Sequence, residues 1–191
     1  LRHVSERSEL GELNEMLIGV TIPEQPGSFK NFCSLIGKKS ITEFNYRFAS
    51  KSEAHVFAGI KLSNGIEDKK SILKNLKSNG YKVIDLTDNE MAKLHIRYMV
   101  GGVSLNTENE KLFRFIFPEK PGELLNFLNS IGSKWNISLF HYRNHGADFG
   151  RVLIGIQVCS EEEQALLKHL NKLNYEFFDE TYNKAYNLFL S

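Results

Sequence analysis

The sequence predicts an α+β fold built from two tandem modules, each with an antiparallel four-stranded sheet and helices on one face. Two observations support this prediction. The chain repeats itself: residues 22–29 read Ile-Pro-Glu-Gln-Pro-Gly-Ser-Phe and residues 117–124 read Phe-Pro-Glu-Lys-Pro-Gly-Glu-Leu, and such a repeat indicates a duplicated structural unit. Within each copy, the spacing of apolar residues changes between the two-residue period of a strand and the 3.6-residue period of a helix.

The repeat continues through a second pair of segments. Residues 41–47 read Ile-Thr-Glu-Phe-Asn-Tyr-Arg and residues 137–143 read Ile-Ser-Leu-Phe-His-Tyr-Arg. The copies correspond at an offset of 95 as far as Gly37 and Gly132, and at an offset of 96 from Ile41 and Ile137 onward. The second copy therefore has one extra residue in this connection, where Trp135-Asn136 stands against Ser40 of the first copy.

Local patterns predict each element of the first copy. The apolar run over 17–22 ends at a proline, as a strand often does, and Gln25-Pro26-Gly27 is typical of a turn. Phe29, Phe32, Cys33 and Ile36 then share one helix face, and Gly37 suits the end of that helix. The remaining predictions are strands over 41–48, 55–62 and 81–86 and a helix over 67–78.

The second copy predicts the same elements, with Leu124, Phe127, Leu128 and Ile131 on its first helix. The order βαββαβ is that of the ferredoxin-like fold. The sheet face without helices needs a cover or contact with water. Two tandem copies could cover one another, or they could place their sheets side by side.

The chain divides into four segments by these patterns. We expect a connecting helix over 1–14, which reads as a neck from an upstream domain since the sequence opens at Leu1. The first module spans 15–100, a linker rich in small polar residues spans 101–110, and the second module spans 111–191. The first module is expected to end in a short helix capped by Asp88 and an extra strand over 94–100.

Composition argues against nucleic-acid and membrane partners, and the motifs argue against catalysis. The chain has 24 basic and 23 acidic residues and a net charge of +1, so no positive excess is available for nucleic acid or for a membrane surface. Phosphate-binding glycine loops and the Gly-x-Ser-x-Gly elbow are absent from the sequence. These observations favour a binding protein without catalytic residues, nucleic-acid partner or membrane span.

The repeated Pro-Glu-x-Pro-Gly turn is the first candidate site. It precedes a helix N-terminus, whose free N–H groups and positive dipole can accept a carboxylate. Glu24 and Glu119 could bind the ammonium group of an amino acid. In the simpler alternative, the Pro-Gly pair only shapes the connection between strand and helix.

The aromatic strand of each copy is the second candidate. Tyr46 and Tyr142 need hydroxyl partners if they are buried, so they are better ligand candidates than the neighbouring phenylalanines. Arg47 and Arg143 fall on the opposite side of their strands, where they either bind an anion or form salt bridges between modules. The copies differ where Asn45 corresponds to His141.

Metal binding and disulfide formation have weak support. His141 and His145 flank Arg143, but no third ligand is evident. A zinc site is not expected, since no Cys-x-x-Cys motif is present. Cys33 and Cys159 lie far apart in sequence, and Cys33 falls on the apolar face of a predicted helix, so both are expected to be reduced thiols in the core.

The repeated segments, together with Asp88–Gly102 and the opening Val-Ser-Glu-Arg-Ser-Glu-Leu-Gly-Glu, resemble the tandem ACT-like regulatory domains of biosynthetic threonine deaminase over essentially the whole chain. The resemblance implies that the parent protein is a pyridoxal-phosphate lyase that converts threonine to 2-oxobutanoate and ammonia. It implies a cytoplasmic dimer or tetramer with its own catalytic domain, while the present chain holds no cofactor. It also implies isoleucine as inhibitor and valine as activator.

The same resemblance selects the residues expected at the effector sites. Tyr46 and Tyr142 are the foremost contacts, with Arg143 and the turn containing Lys120 and Gly122 beside them. Glu24, Gly27, Glu119, Asn45 and His141 complete the predicted set. Two alternatives stay open: a stand-alone amino-acid-sensing or dimerisation module, and a small enzyme on the same scaffold.

Overall fold

The computed structural model describes residues 14–37, 39, 41–47, 52–98, 101, 103–104, 107–120, 122–144 and 148–190. Apart from Asn14, the expected neck helix lies outside the described residues, as do Ser40, Phe48 and His145. No helix among the described residues is long and apolar enough to cross a membrane.

Both modules have the predicted order of strands and helices. The first comprises β1 (Glu15–Pro23), α1 (Ser28–Ile36), β2 (Ile41–Arg47), β3 (Glu53–Lys61), α2 (Gly65–Ser78), β4 (Lys82–Asp85) and α3 (Glu90–Leu94). The second comprises β5 (Glu110–Pro118), α4 (Glu123–Ile131), β6 (Asn136–Arg143), β7 (Phe149–Gln157), α5 (Glu163–Lys172), β8 (Glu176–Asp179) and α6 (Lys184–Phe189). The α+β prediction with a ferredoxin-like arrangement is confirmed.

The two sheets lie side by side and form one eight-stranded sheet in the order β4-β1-β3-β2-β6-β7-β5-β8. Strands β2 and β6 pair antiparallel at the junction, with Asn45 opposite His141. Glu43 lies opposite Arg143, and the equivalent residues Leu139 and Arg47 also lie opposite one another. The junction therefore has a local twofold axis between Asn45 and His141, which relates the two modules.

Helices α1, α2, α4 and α5 pack on one face of the sheet around a core that crosses the module boundary. The ring of Phe29 on α1 lies 4.7 Å from that of Phe140 on β6, measured between centroids. Phe44 on β2 also contacts Phe140, at 6.4 Å. Helix α1 of the first module thus packs on strand β6 of the second module. This packing across the module boundary positions the sites described below.

The other face of the sheet is partly covered by the segment that follows the last strand of each module. Leu17 and Phe57 pack with Ala92 on α3. Leu112 and Leu139 pack with Tyr186 on α6. Each module therefore supplies its own apolar cover instead of covering its neighbour.

Two expectations about the end of the first module are wrong. The cap of α3 is Asn89, whose side chain accepts a hydrogen bond from the Ala92 N–H at 3.0 Å, and not Asp88. Residues 96–98 form a 3₁₀ turn instead of a strand. The turn places Ile96 against the apolar cover and Arg97 against two carboxylates, so tertiary contacts override the alternating pattern.

Candidate effector sites between the modules

The repeated turn has the same backbone geometry in both copies. Gly27 and Gly122 precede α1 and α4 with φ angles of 87° and 83°. This left-handed region is unfavourable for residues with a Cβ atom, which explains the glycine of the motif. The turn brings Glu24 and Glu119 beside the start of the following helix.

Each of these glutamates is held by the tyrosine of its own module. The Tyr142 hydroxyl donates to Oε1 of Glu119 at 2.8 Å, and the Tyr46 hydroxyl donates to Oε2 of Glu24. Burial and the adjacent carboxylate raise the pKa of Tyr142, so its hydroxyl remains a donor. Burial also raises the pKa of Glu24, against the hydrogen bonds from Tyr46 and Asn136.

An open cavity of about 220 Å³ lies beside Glu119, between the modules. The second module contributes its repeated turn, the first turn of α4 and the aromatic strand, through Glu119, Lys120, Gly122, Leu124, Leu125, Leu128, Tyr142 and Asn144. The first module contributes the end of α1 and the connection to β2, through Cys33, Gly37, Lys39 and Ile41. Oε2 of Glu119 is buried and has no hydrogen-bond partner among the described residues.

The corresponding space beside Glu24 is nearly filled, with a cavity of only about 10 Å³. The turn of the first module, Tyr46 and the start of α1 form one side of it. The other side is formed by Gly132, Trp135, Asn136 and Ile137 of the second module. The twofold arrangement therefore builds two equivalent places, of which one is open.

The predicted site residues are divided between the two faces of the sheet. Tyr142, Glu119, Lys120 and Gly122 line the open cavity, and Tyr46, Glu24 and Gly27 line the filled one. Asn45, His141 and Arg143 belong to the opposite face, at the module junction. There the Asn45 amide donates to the Arg97 carbonyl at 3.3 Å.

The arginines of the repeat form salt bridges between modules, which was one of the two alternatives. Arg47 pairs with Glu110 at 2.5 Å, and both side chains are less than a tenth exposed. Arg143 pairs with Glu43 at 3.4 Å, and Glu43 also pairs with Arg97 at 3.0 Å. Burial raises the pKa of Glu43, and the two arginines oppose that shift.

The remaining titratable candidates form no cluster. No group of three or more metal-binding side chains occurs among the described residues. Both cysteines are free thiols, as predicted, but only Cys33 is buried. The expectation that Cys159 is a core residue is wrong, because it follows β7 on the surface at the start of a 3₁₀ turn.

The contribution of the first module to the open cavity was not predicted from the sequence. Gly37 was identified only as a helix end, and Lys39 and Ile41 were not identified as site residues. The signal that marks this region is the length difference of the two connections. It shows where the copies diverge, but not that each connection faces the turn of the other module.

The comparisons with known proteins agree with this architecture. A family model described as the C-terminal regulatory domain of threonine dehydratase matches residues 6–96 and again residues 101–190. The L-threonine dehydratase biosynthetic IlvA of Escherichia coli (strain K12) is 54% identical over 191 residues, which are 100% of this chain and 37% of that protein. The mitochondrial threonine dehydratase of Saccharomyces cerevisiae is 43% identical over 198 residues, covering 100% of this chain and 34% of that protein.

Among solved structures, the regulatory subunit of aspartate kinase from Thermus thermophilus aligns with a TM-score of 0.33 and 13% identity. The alignment covers 85% of this chain and 93% of that one, a similarity too distant to carry an argument. The family model, by contrast, matches both repeats along nearly the whole sequence. The chain therefore belongs to the family of C-terminal regulatory domains of threonine dehydratase.

Proposed function

We propose that the open cavity beside Glu119 binds a free branched-chain amino acid, isoleucine or valine, as an allosteric effector. The observation that carries the proposal is the Glu119 carboxylate, which lines a cavity between the modules and whose Oε2 is buried without a hydrogen-bond partner among the described residues. A buried carboxylate oxygen of this kind calls for a donor. The ammonium group of an amino acid is such a donor.

The other parts of an amino acid have partners in the same cavity. Its carboxylate would meet the first turn of α4, where N–H groups lack intrahelical partners and the dipole is positive. Leu124, Leu128 and Ile41 would surround an aliphatic side chain. The volume of about 220 Å³ lies below the roughly 300–1,000 Å³ of sites for drug-sized ligands, which suits a single amino acid.

The proposed role extends to the longer protein, since the chain spans only 37% of the length of the E. coli relative. We propose that it regulates a cytoplasmic, tetrameric lyase that converts threonine to 2-oxobutanoate and ammonia. The pyridoxal phosphate of that enzyme would be held by residues outside the present chain and would supply the lyase chemistry there. The present residues would then bind effector and transmit the signal.

Isoleucine as inhibitor and valine as activator must stabilise different states of the protein. The two ligands differ by one methylene, worth about 0.8 kcal/mol when buried. Typical allosteric coupling is about 1–3 kcal/mol. A single cavity of fixed shape therefore discriminates only weakly between isoleucine and valine. Opposite effects of the two ligands require a change in how the modules enclose the ligand.

Titration calorimetry of the protein with isoleucine and valine tests the proposal. We expect both amino acids to bind, and we expect Glu119→Gln to weaken binding at least about tenfold through loss of the charged hydrogen bond. The keto acid of isoleucine, which lacks the ammonium group, should not compete. Glu176→Gln, at an exposed position on β8, is the matched control. A folded protein that binds neither amino acid contradicts the proposal.

A further inference from the structure

The two equivalent places between the modules differ because of one connection. Three residues, 38–40, join Gly37 to Ile41 in the first module, whereas four residues, 133–136, join Gly132 to Ile137 in the second. Each connection faces the repeated turn of the opposite module. The longer connection faces the turn that contains Glu24.

The longer connection contacts the opposite turn. A Cβ atom added at Gly27 would meet Cβ of Ser133 at 3.0 Å, whereas one added at Gly122 would meet no atom of a described residue within 4 Å. Trp135 is only 8% exposed, and its ring lies 5.6 Å from that of His169 on α5, between centroids. Its indole thus fills the space that remains open in the other half.

The two glutamates differ in the same way. Nδ2 of Asn136 donates to Oε1 of Glu24 at 2.8 Å and to Oε1 of Gln157 at 2.7 Å. Together with the Tyr46 hydroxyl on Oε2, this contact gives both oxygens of Glu24 a donor. Among the described residues, Glu119 has a donor on Oε1 and none on Oε2. Asn136 therefore supplies, from within the chain, the type of contact that the ligand ammonium would supply to Glu119.

We infer that Trp135 and Asn136 themselves occupy the second site, beside Glu24. As long as they do so, the chain binds one free amino acid, and it binds that amino acid at Glu119. Trp135 takes the place of the aliphatic side chain and the Asn136 amide takes the place of the ammonium group. The inference rests on the proposed function. It adds the number of amino acids that bind per chain and states which of the two equivalent sites binds them. The two residues thereby determine which of two equivalent sites is available.

Calorimetry with isoleucine tests the inference without altering the connection. We expect about one isoleucine per chain. Glu119→Gln should weaken this binding at least about tenfold, while Glu24→Gln, the equivalent change in the other half, should change it less than about twofold. Two binding events of similar affinity in the unaltered protein, or equal effects of the two substitutions, would overturn the inference.

The second test removes the occupant. In a protein carrying Glu119→Gln, the pair Trp135→Ala and Asn136→Ala should restore one isoleucine per chain, now bound at Glu24. Further addition of Glu24→Gln should abolish it. Circular dichroism confirms that each variant is folded, and the milder pair Trp135→Val and Asn136→Ser serves where the alanine pair does not fold. A folded variant that gains no binding overturns the inference, whereas absence of binding to the unaltered protein refutes the proposed function with it.

Discussion

At the scale of single residues, the charges around the open cavity are fixed by local contacts. Nζ of Lys39, which lines the cavity, pairs with Oδ1 of Asp68 at 2.8 Å. Oδ2 of Asp68 also accepts the backbone N–H groups of Ser63 and Asn64 at 2.9 and 3.0 Å. The carboxylate therefore ties the lysine to the start of α2.

These contacts predict a pH dependence of stability. The hydrogen bond with Lys39 and the two backbone N–H groups lower the pKa of Asp68 from 3.8 to about 2. A lowered folded-state pKa stabilises the fold above the ordinary value, and this contribution is lost as the pH falls from 3.8 toward 2. Asp68→Asn should therefore lower the free energy of unfolding at pH 7, and its difference from the unaltered protein should shrink as the pH falls from 3.8 through about 2.

Urea denaturation at a series of pH values measures this effect. Asp88→Asn, at an exposed aspartate outside any helix or strand, is the control and should leave the pH profile unchanged. A difference between Asp68→Asn and the unaltered protein that stays constant down to pH 2 contradicts the assignment.

At the scale of elements, the pairing of β2 with β6 is held by buried ions as well as by the backbone ladder. Arg47 on β2 reaches Glu110 on β5, and Glu110 also accepts hydrogen bonds from Ser138 and Tyr186. Removal of one partner from a buried pair leaves an uncompensated charge, which costs about 3–5 kcal/mol. The junction therefore depends on side chains of both modules.

Arg47→Ala should lower the free energy of unfolding by about 3 kcal/mol or more, measured by urea denaturation. Arg114→Ala is the matched control, because the Arg114 side chain is 41% exposed in its pair with Glu180. Exposed pairs contribute about 1 kcal/mol or less. Equal losses of unfolding free energy for the two substitutions would contradict the larger stabilisation expected of the buried pair at the junction.

The elements could be predicted from sequence far better than the sites. The Phe29 to Ile36 pattern and the alternation over 41–47 are local, so the period alone identified a helix and a strand. The shared sites depend on the pairing of β2 with β6, and no local pattern distinguished sheets placed side by side from modules that cover one another. The 3₁₀ turn at Ile96 was missed for the same reason, since its contacts lie far away in sequence.

At the scale of the whole molecule, one sheet and one core connect the modules. The sheet is continuous across β2 and β6, and Phe29 packs on Phe140 across the boundary. Opening one module would expose the core of the other. We therefore expect the chain to unfold as a single cooperative unit.

Differential scanning calorimetry should show one thermal transition, and isoleucine should shift it as a whole. A ligand at about 100 times its Kd stabilises a protein by about 2.7 kcal/mol, and each kcal/mol raises Tm by roughly 2–4 °C in a chain of this size. The expected increase is thus about 5–11 °C. Valine at equal saturation should give a similar increase, and two transitions that respond separately would contradict the shared core.

The twofold axis between Asn45 and His141 has a consequence for how such sites can change. In a symmetric dimer of separate identical modules, every substitution would alter both sites at once. Fusion of two copies into one chain removes that restriction, because each copy is encoded separately. The longer connection with Trp135 can therefore alter one site without altering the equivalent site. A duplicated protein can in this way keep a symmetric fold while its two sites differ in ligand binding.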